Sequence, residues 1–133
     1  MQQTYGLTFR CWRDDGLVTL ADLLMSLGRT IEGNRWRLVV EELPSPRYQE
    51  ICDTADRSLM ETGQLIALLG DDAQLIDGEL AAYDADGACC DLTIRALDST
   101  WWDIETTRQE VLDQVSRFYP DAEILHSRSP DED

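Results

Sequence analysis

Carboxylates are the groups through which this sequence could most readily do chemistry. The chain has 133 residues, of which 27 are Asp or Glu. Two carboxylates can share general acid–base work when their surroundings separate their pKa values. The local pairs are Asp71 with Asp72, Asp84 with Asp86, and Asp103 with Glu105. Their spacing shows no such separation, so a small carboxylate-dependent hydrolase stays open only as an alternative.

One of these pairs lies in a segment that resembles the start of a calcium-binding loop. Asp84-Ala85-Asp86-Gly87 has the D-x-D-G pattern, but no Glu follows at the distance where a bidentate ligand belongs. Asp is also favoured in turns, where its side chain accepts hydrogen bonds from the nearby backbone. The segment therefore predicts a turn and no metal site.

Residues for nucleophilic or cofactor chemistry are scarce. The single histidine, His126, lies near the end of the chain, whereas a catalytic triad needs a rigidly held imidazole. The cysteines, Cys11, Cys52, Cys89 and Cys90, have the spacing of neither a zinc site nor a disulfide framework. We expect reduced core thiols, as in a cytoplasmic protein, and we predict no catalytic residue, no cofactor and no enzymatic activity.

The charge of the chain indicates what kind of partner it can bind. The formal net charge is -16, with 11 basic residues that are all Arg. Binding to nucleic acid or to an anionic membrane requires a positive surface, so neither is expected. A negative field speeds encounter with a basic protein, although high charge also serves solubility alone. The start of the chain lacks signal-peptide features, and no apolar run approaches a membrane span, so we expect a cytoplasmic location.

Hydrophobic periodicity predicts an α+β fold with the order β-α-β-α-α-β-β-β-α. The predicted strands cover 5–12, 35–43, 74–83, 88–97 and 100–105, and an edge strand at 122–125 is a further option. The predicted helices follow Thr19, begin near Pro46, cover 64–69 and follow Thr107. Short turns join the last three strands, which favours a mostly antiparallel sheet of about five strands with helices on one side. We expect one domain over 1–126 and a disordered acidic tail over 127–133.

Helix boundaries are predicted from capping residues. Thr19 with Asp22, and Thr107 with Glu110, have the spacing of a capping box. Thr62 is predicted to cap the short helix over 64–69. In the strand over 35–43, Val39 makes the second face partly apolar, which suits an interior strand.

The segment from Asp98 to Glu105 combines aromatic and acidic residues. On a strand, Trp101 and Trp102 point to opposite faces, and Asp103 and Glu105 share the face of Trp101. An exposed tryptophan beside carboxylates is a plausible contact for arginine or lysine of a partner. The alternative is that both tryptophans are buried, one on each side of the sheet.

The carboxy-terminal half resembles a known class of proteins. It has a hairpin with Ile76-Asp77-Gly78-Glu79, then the run Ile94-Arg95-Ala96-Leu97-Asp98-Ser99-Thr100-Trp101-Trp102, then an acidic strand and a final amphipathic helix. This pattern resembles small immunity proteins of bacterial polymorphic or contact-dependent toxin systems. The resemblance covers 74–118. It implies a non-catalytic protein that binds a cognate, basic toxin domain and covers its active site or substrate-binding surface. A DNA mimic or an adaptor is the alternative.

The predicted partner-binding residues are the acids of the turns and of the last strand, together with one tryptophan. They are Asp71, Asp72, Asp84, Asp86, Asp98, Trp101, Asp103 and Glu105.

Overall fold

The chain forms nine strands and four helices within the residues described. The structure is a computed structural model that describes residues 4–14, 16–70, 74–84, 86–98 and 100–128. Its strands are β1 (Thr4–Arg10), β2 (Trp12–Arg13), β3 (Gly16–Leu17), β4 (Arg35–Glu42), β5 (Met60–Glu61), β6 (Asp77–Tyr83), β7 (Cys89–Leu97), β8 (Trp101–Thr106) and β9 (Glu123–Arg128). Its helices are α1 (Leu20–Leu27), α2 (Tyr48–Arg57), α3 (Thr62–Leu69) and α4 (Gln109–Phe118), and a 3-10 turn at Gly28–Ile31 follows α1.

The strands build one large antiparallel sheet. Its order is β5-β4-β6-β7-β8-β1-β9, and β2 and β3 form a separate two-stranded ribbon. The predicted α+β class and the antiparallel sheet are confirmed. The sheet has seven strands rather than about five because β9 is a full edge strand and because β5 has only two residues, too few for a periodic pattern.

One face of the sheet carries the core. Along β6 and β8, buried residues alternate with half-buried ones, as expected where one face is packed and the other faces water. Every strand side chain that is buried in the described residues belongs to this packed face, including Leu7, Leu38, Ile94 and Ile104. Leucines of α1 and α3 and valines of α4 complete the same core cluster. No helix in the described residues is long and apolar enough to span a membrane.

The capping predictions have mixed outcomes. Thr19 and Asp22 form the predicted capping box at the start of α1. Thr62 is the first residue of α3, not its cap, and its hydroxyl accepts a hydrogen bond from Trp36 Nε1 at 2.7 Å. The Thr107 prediction is wrong, because α4 is preceded by Arg108 and has no side-chain cap. The Arg108 guanidinium instead donates to the Thr30 carbonyl and to Asn34 Oδ1, which fixes this end of the helix from a distant loop.

Three further expectations need adjustment. Val39 is 45% exposed, because it lies on the face of the sheet opposite the core, where it pairs with Glu79. The strand β9 runs to Arg128, so the first residues of the predicted tail pair with β1, and 129–133 lie outside the described residues. Cys11 is buried, and burial raises the pKa of its thiol to about 11. Cys52 is only half-buried, so it is not the core thiol that was expected.

Candidate partner-binding surface

The face of the sheet opposite the core, here called the open face, carries the strongest concentration of predicted site residues. Three neighbouring strands place Glu79, Arg95 and Asp103 directly opposite one another in register. The next row along pairs Thr93 with Glu105. Because side chains directly opposite on one face lie within contact distance, the antiparallel register brings these charges together.

Arg95 stands at the centre of three carboxylates, which we call the acidic cluster: Glu79, Asp103 and Glu105. Arg95 Nε lies 3.0 Å from Glu79 Oε1, and Arg95 Nη1 lies 3.1 Å from Glu105 Oε1. Partial burial lowers the pKa of the Arg95 guanidinium, but Glu105 and Glu79 outweigh that effect and raise it overall. One guanidinium cannot neutralise three carboxylates, so the cluster keeps an excess of negative charge.

Asp103 carries much of the electrostatic cost of this arrangement. Loss of contact with water raises the pKa of its carboxyl, the neighbouring Glu105 raises it further, and Arg95 offsets only part of the rise. Since a raised carboxyl pKa means that the charged form is disfavoured, the cluster would be stabilised by another cation. A guanidinium or ammonium group brought by a partner would supply that charge.

The two adjacent tryptophans have separate roles. Trp102 is buried in the core, where its Nε1 donates to the Val18 carbonyl at 2.9 Å. Trp101 lies half-buried on the open face, and the Arg10 guanidinium carbon sits 4.9 Å from its ring centroid. The alternative that both tryptophans are buried is therefore wrong. Trp101 has the position expected of a contact residue, and its ring already receives a cation from within the chain.

Beyond Trp101, the open face ends in an aromatic and apolar patch, here called the tryptophan end. Register aligns Leu97, Trp101 and Arg10 in one row across three strands, and Leu97 is 42% exposed. Trp12 is 59% exposed, and it lines a depression of about 540 Å³ together with Arg10 and Arg13. An exposed tryptophan next to a polar depression is the kind of feature that anchors protein–protein contacts.

Sequence reasoning missed several members of this surface. Trp12 has the same parity as Arg10, so its placement on the outward face was readable from the pattern. Glu79, Arg95 and Leu97 gave no comparable signal, because their place depends on how neighbouring strands align. The interruption of the carboxylates by Arg95 and Arg10 gives no support to a regular row of acids of the kind a DNA mimic needs.

The other predicted site residues do not join this cluster. Asp84 and Asp86 lie in the turn between β6 and β7, where Asp84 Oδ1 accepts hydrogen bonds from the backbone N–H of Asp86 and of Ala88, each at 2.9 Å. This is the predicted turn chemistry, at the opposite end of β7 from Trp101. Asp98 lies in the turn that leads into β8, close to the tryptophan end, and its N–H donates to Asp77 Oδ1. Asp71 and Asp72 lie outside the described residues.

The acids of the open face lie apart from the depressions of the described surface. Asp103 and Glu105 line none of four depressions at the surface of the described residues. Within the same residues, no three His, Cys, Asp or Glu side chains are grouped so that they could hold a metal ion. The arrangement is instead a broad charged surface that can accept basic side chains.

The geometry of this chain alone identifies the candidate surface. It combines an acidic cluster with an aromatic end, on a sheet face that no described helix covers. The chain matches no protein-family model, no curated protein and no solved structure.

Proposed function

We propose that this chain is a non-catalytic binding protein that neutralises a basic protein, as an immunity protein neutralises its cognate toxin domain. The open face would cover the active site or the substrate-binding surface of that toxin. The observation that carries the proposal is the acidic cluster beside Trp101, where three carboxylates surround a single arginine. The resemblance of 74–118 to immunity proteins supplies the choice of a toxin as the basic partner.

Electrostatics supports a basic partner at two distances. At long range, the net charge of -16 attracts a cationic protein and raises the association rate, in a way that salt screens. At short range, a partner cation near Asp103 would relieve the repulsion and the desolvation that raise the pKa of its carboxyl. Both effects favour the charged form of the cluster in the complex.

The tryptophan end supplies apolar contact area, which charged groups alone do not provide. Large aromatic side chains that become fully desolvated contribute most of the affinity in many interfaces, whereas rim charges contribute mainly to the association rate. Trp12, at 59% exposed, and Leu97, at 42% exposed, offer apolar area next to the acidic cluster. A basic partner with an apolar contact beside its cationic site would match both parts.

The proposal is tested by binding after selective removal of charge. The partner is first identified by co-purification from the producing cell or from the neighbouring gene, and its affinity is then measured by titration. We expect the double variant D103N/E105Q to weaken binding by about tenfold or more. The matched control D53N/D113N removes the same charge from exposed positions on α2 and α4, and it should change affinity only about twofold.

Equal losses in the two double variants would reject the acidic cluster as the contact surface. If the partner keeps its full activity while this chain is bound to it, the neutralising role is rejected. Both variants replace surface carboxylates with near-isosteric amides, so circular dichroism and unfolding curves should verify an intact fold before binding is compared.

A further inference from the structure

The edge of the sheet at β4 is covered over only part of its length. The short strand β5 pairs with β4 at Arg35 and Trp36, and the described residues place no strand on that side beyond them. Residues 37–41 of β4 therefore present an uncovered edge. Such an edge exposes backbone N–H and C=O groups that can pair with another strand.

A groove runs along this uncovered edge. It has a volume of about 610 Å³ and lies between β4 and one side of α2, where Tyr48, Cys52 and Asp56 recur at helical spacing. Val39 on the strand is 45% exposed, and Tyr48 on the helix is 40% exposed. Space, apolar surface and an unpaired backbone thus occur together, which is the setting for addition of a strand.

The charges along β4 indicate which strand fits. Arg35 and Arg37 precede Val39, and Glu41 and Glu42 follow it. The register of β4 against β6 is regular from Arg35 to Val40 and shifts between Val40 and Glu42, so Glu41 lies in a bulge. An antiparallel strand with the same sequence, centred on Val39, would bring Arg37 of each copy next to the bulged Glu41 of the other. A strand of one charge sign would meet repulsion at one end, whereas a copy of β4 meets opposite charge at both.

We propose that two copies of this chain associate through the uncovered edges of β4, antiparallel and centred on Val39. The contact joins the two sheets into one continuous sheet and brings the two α2 helices side by side. The paired length, 37–41, falls within the part of β4 that β5 leaves uncovered. So short a contact forms a weak dimer, because its buried area falls at the low end for specific interfaces. The edge of β4 is next to β6, the strand that carries Glu79 of the acidic cluster, and Val39 pairs directly with Glu79.

Charge reversal tests the pairing directly. R37E places acid opposite acid, and E41R places base opposite base, so each variant alone should dimerise at least about fivefold more weakly than the natural chain. A mixture of R37E with E41R restores both opposite-charge pairs and should form a heterodimer. Sedimentation equilibrium at physiological salt, over about a hundredfold range of concentration, measures all four samples.

Cross-linking tests the centre of the contact. V39C places two thiols opposite each other at the two-fold axis, within the distance that a disulfide needs. Under mild oxidation V39C should give covalent dimer faster than the unmodified chain. It should also do so faster than the control L97C, because Leu97 is similarly exposed but lies on another strand. A monomeric natural chain, a mixture that sediments like its single variants, or equal cross-linking in V39C and L97C would each overturn the proposal.

Discussion

Replacing Arg95 with methionine should expose the electrostatic cost of the acidic cluster. Methionine keeps much of the apolar stem and removes only the charged fork. The Arg95 side chain is 35% exposed, so its two ion pairs are worth about 0.5 kcal/mol each after solvent screening. Repulsion among the three uncompensated carboxylates adds a comparable amount at low salt. We therefore expect R95M to lower the free energy of unfolding by about 1–2 kcal/mol at neutral pH.

The assay is urea unfolding, followed by fluorescence of the buried tryptophans, at neutral and at acidic pH. Protonation in acid removes the charge of carboxylates, so at acidic pH the difference between R95M and the natural chain should shrink to about 0.5 kcal/mol or less. The variant R95K keeps the charge but not the fork and should lose about half as much. A loss in R95M that is equal at both pH values and in high salt would refute the electrostatic explanation and indicate lost packing.

Three further perturbations test separate parts of the structure. The pKa of Asp103 is raised in the folded chain, so the unfolded chain loses this proton first as pH rises. The natural chain should therefore become less stable relative to D103N between pH values below 3.8 and neutrality. Unfolding curves across that range check the sign. G78A should lower the unfolding free energy by about 1–3 kcal/mol in urea, because a Cβ on Gly78 would lie 2.7 Å from the Val39 carbonyl oxygen. T62V should cost about 1–3 kcal/mol, because the buried Trp36 would lose its acceptor, and a thermal melt that matches the natural chain would contradict this.

Local patterns predicted which way side chains point. Parity along β8 correctly placed Trp101, Asp103 and Glu105 on one face and Trp102 on the other, and the structure shows that Trp102 is the buried one. The same reasoning placed the capping box of Thr19, because a cap depends only on residues within one turn. These successes share one property, which is that the physics involved acts over a few residues.

The alignment between strands was beyond such local reasoning. Ala81 pairs with Thr93, but Tyr83 pairs with Cys89, so a bulge shifts the register inside the hairpin. Nearby Asp91 adopts φ 54, a left-handed conformation that an aspartate tolerates better than most residues. A regular hairpin would not have set Glu79 opposite Arg95. The acidic cluster therefore depends on an irregularity that hydrophobic alternation does not reveal.

Long-range anchors explain the remaining errors. A threonine cap was expected before α4, yet the Arg108 guanidinium reaches Asn34 at 3.2 Å and holds the chain in a different path. Thr62 was likewise expected to cap a helix, but its hydroxyl serves a tryptophan on β4. In both cases a partner far along the sequence outcompeted the local rule, since a buried donor left without an acceptor costs more than a missing cap.

The position of β1 has a consequence for how the protein is made. This strand lies between β8 and β9, which come much later in the sequence, and Tyr5 pairs with Thr106. Both of its hydrogen-bonding neighbours are synthesised only after β4, β6 and β7. The nascent chain must therefore carry β1 unpaired while the intervening strands are made, and insertion of β1 between β8 and β9 becomes a late step in closing the sheet.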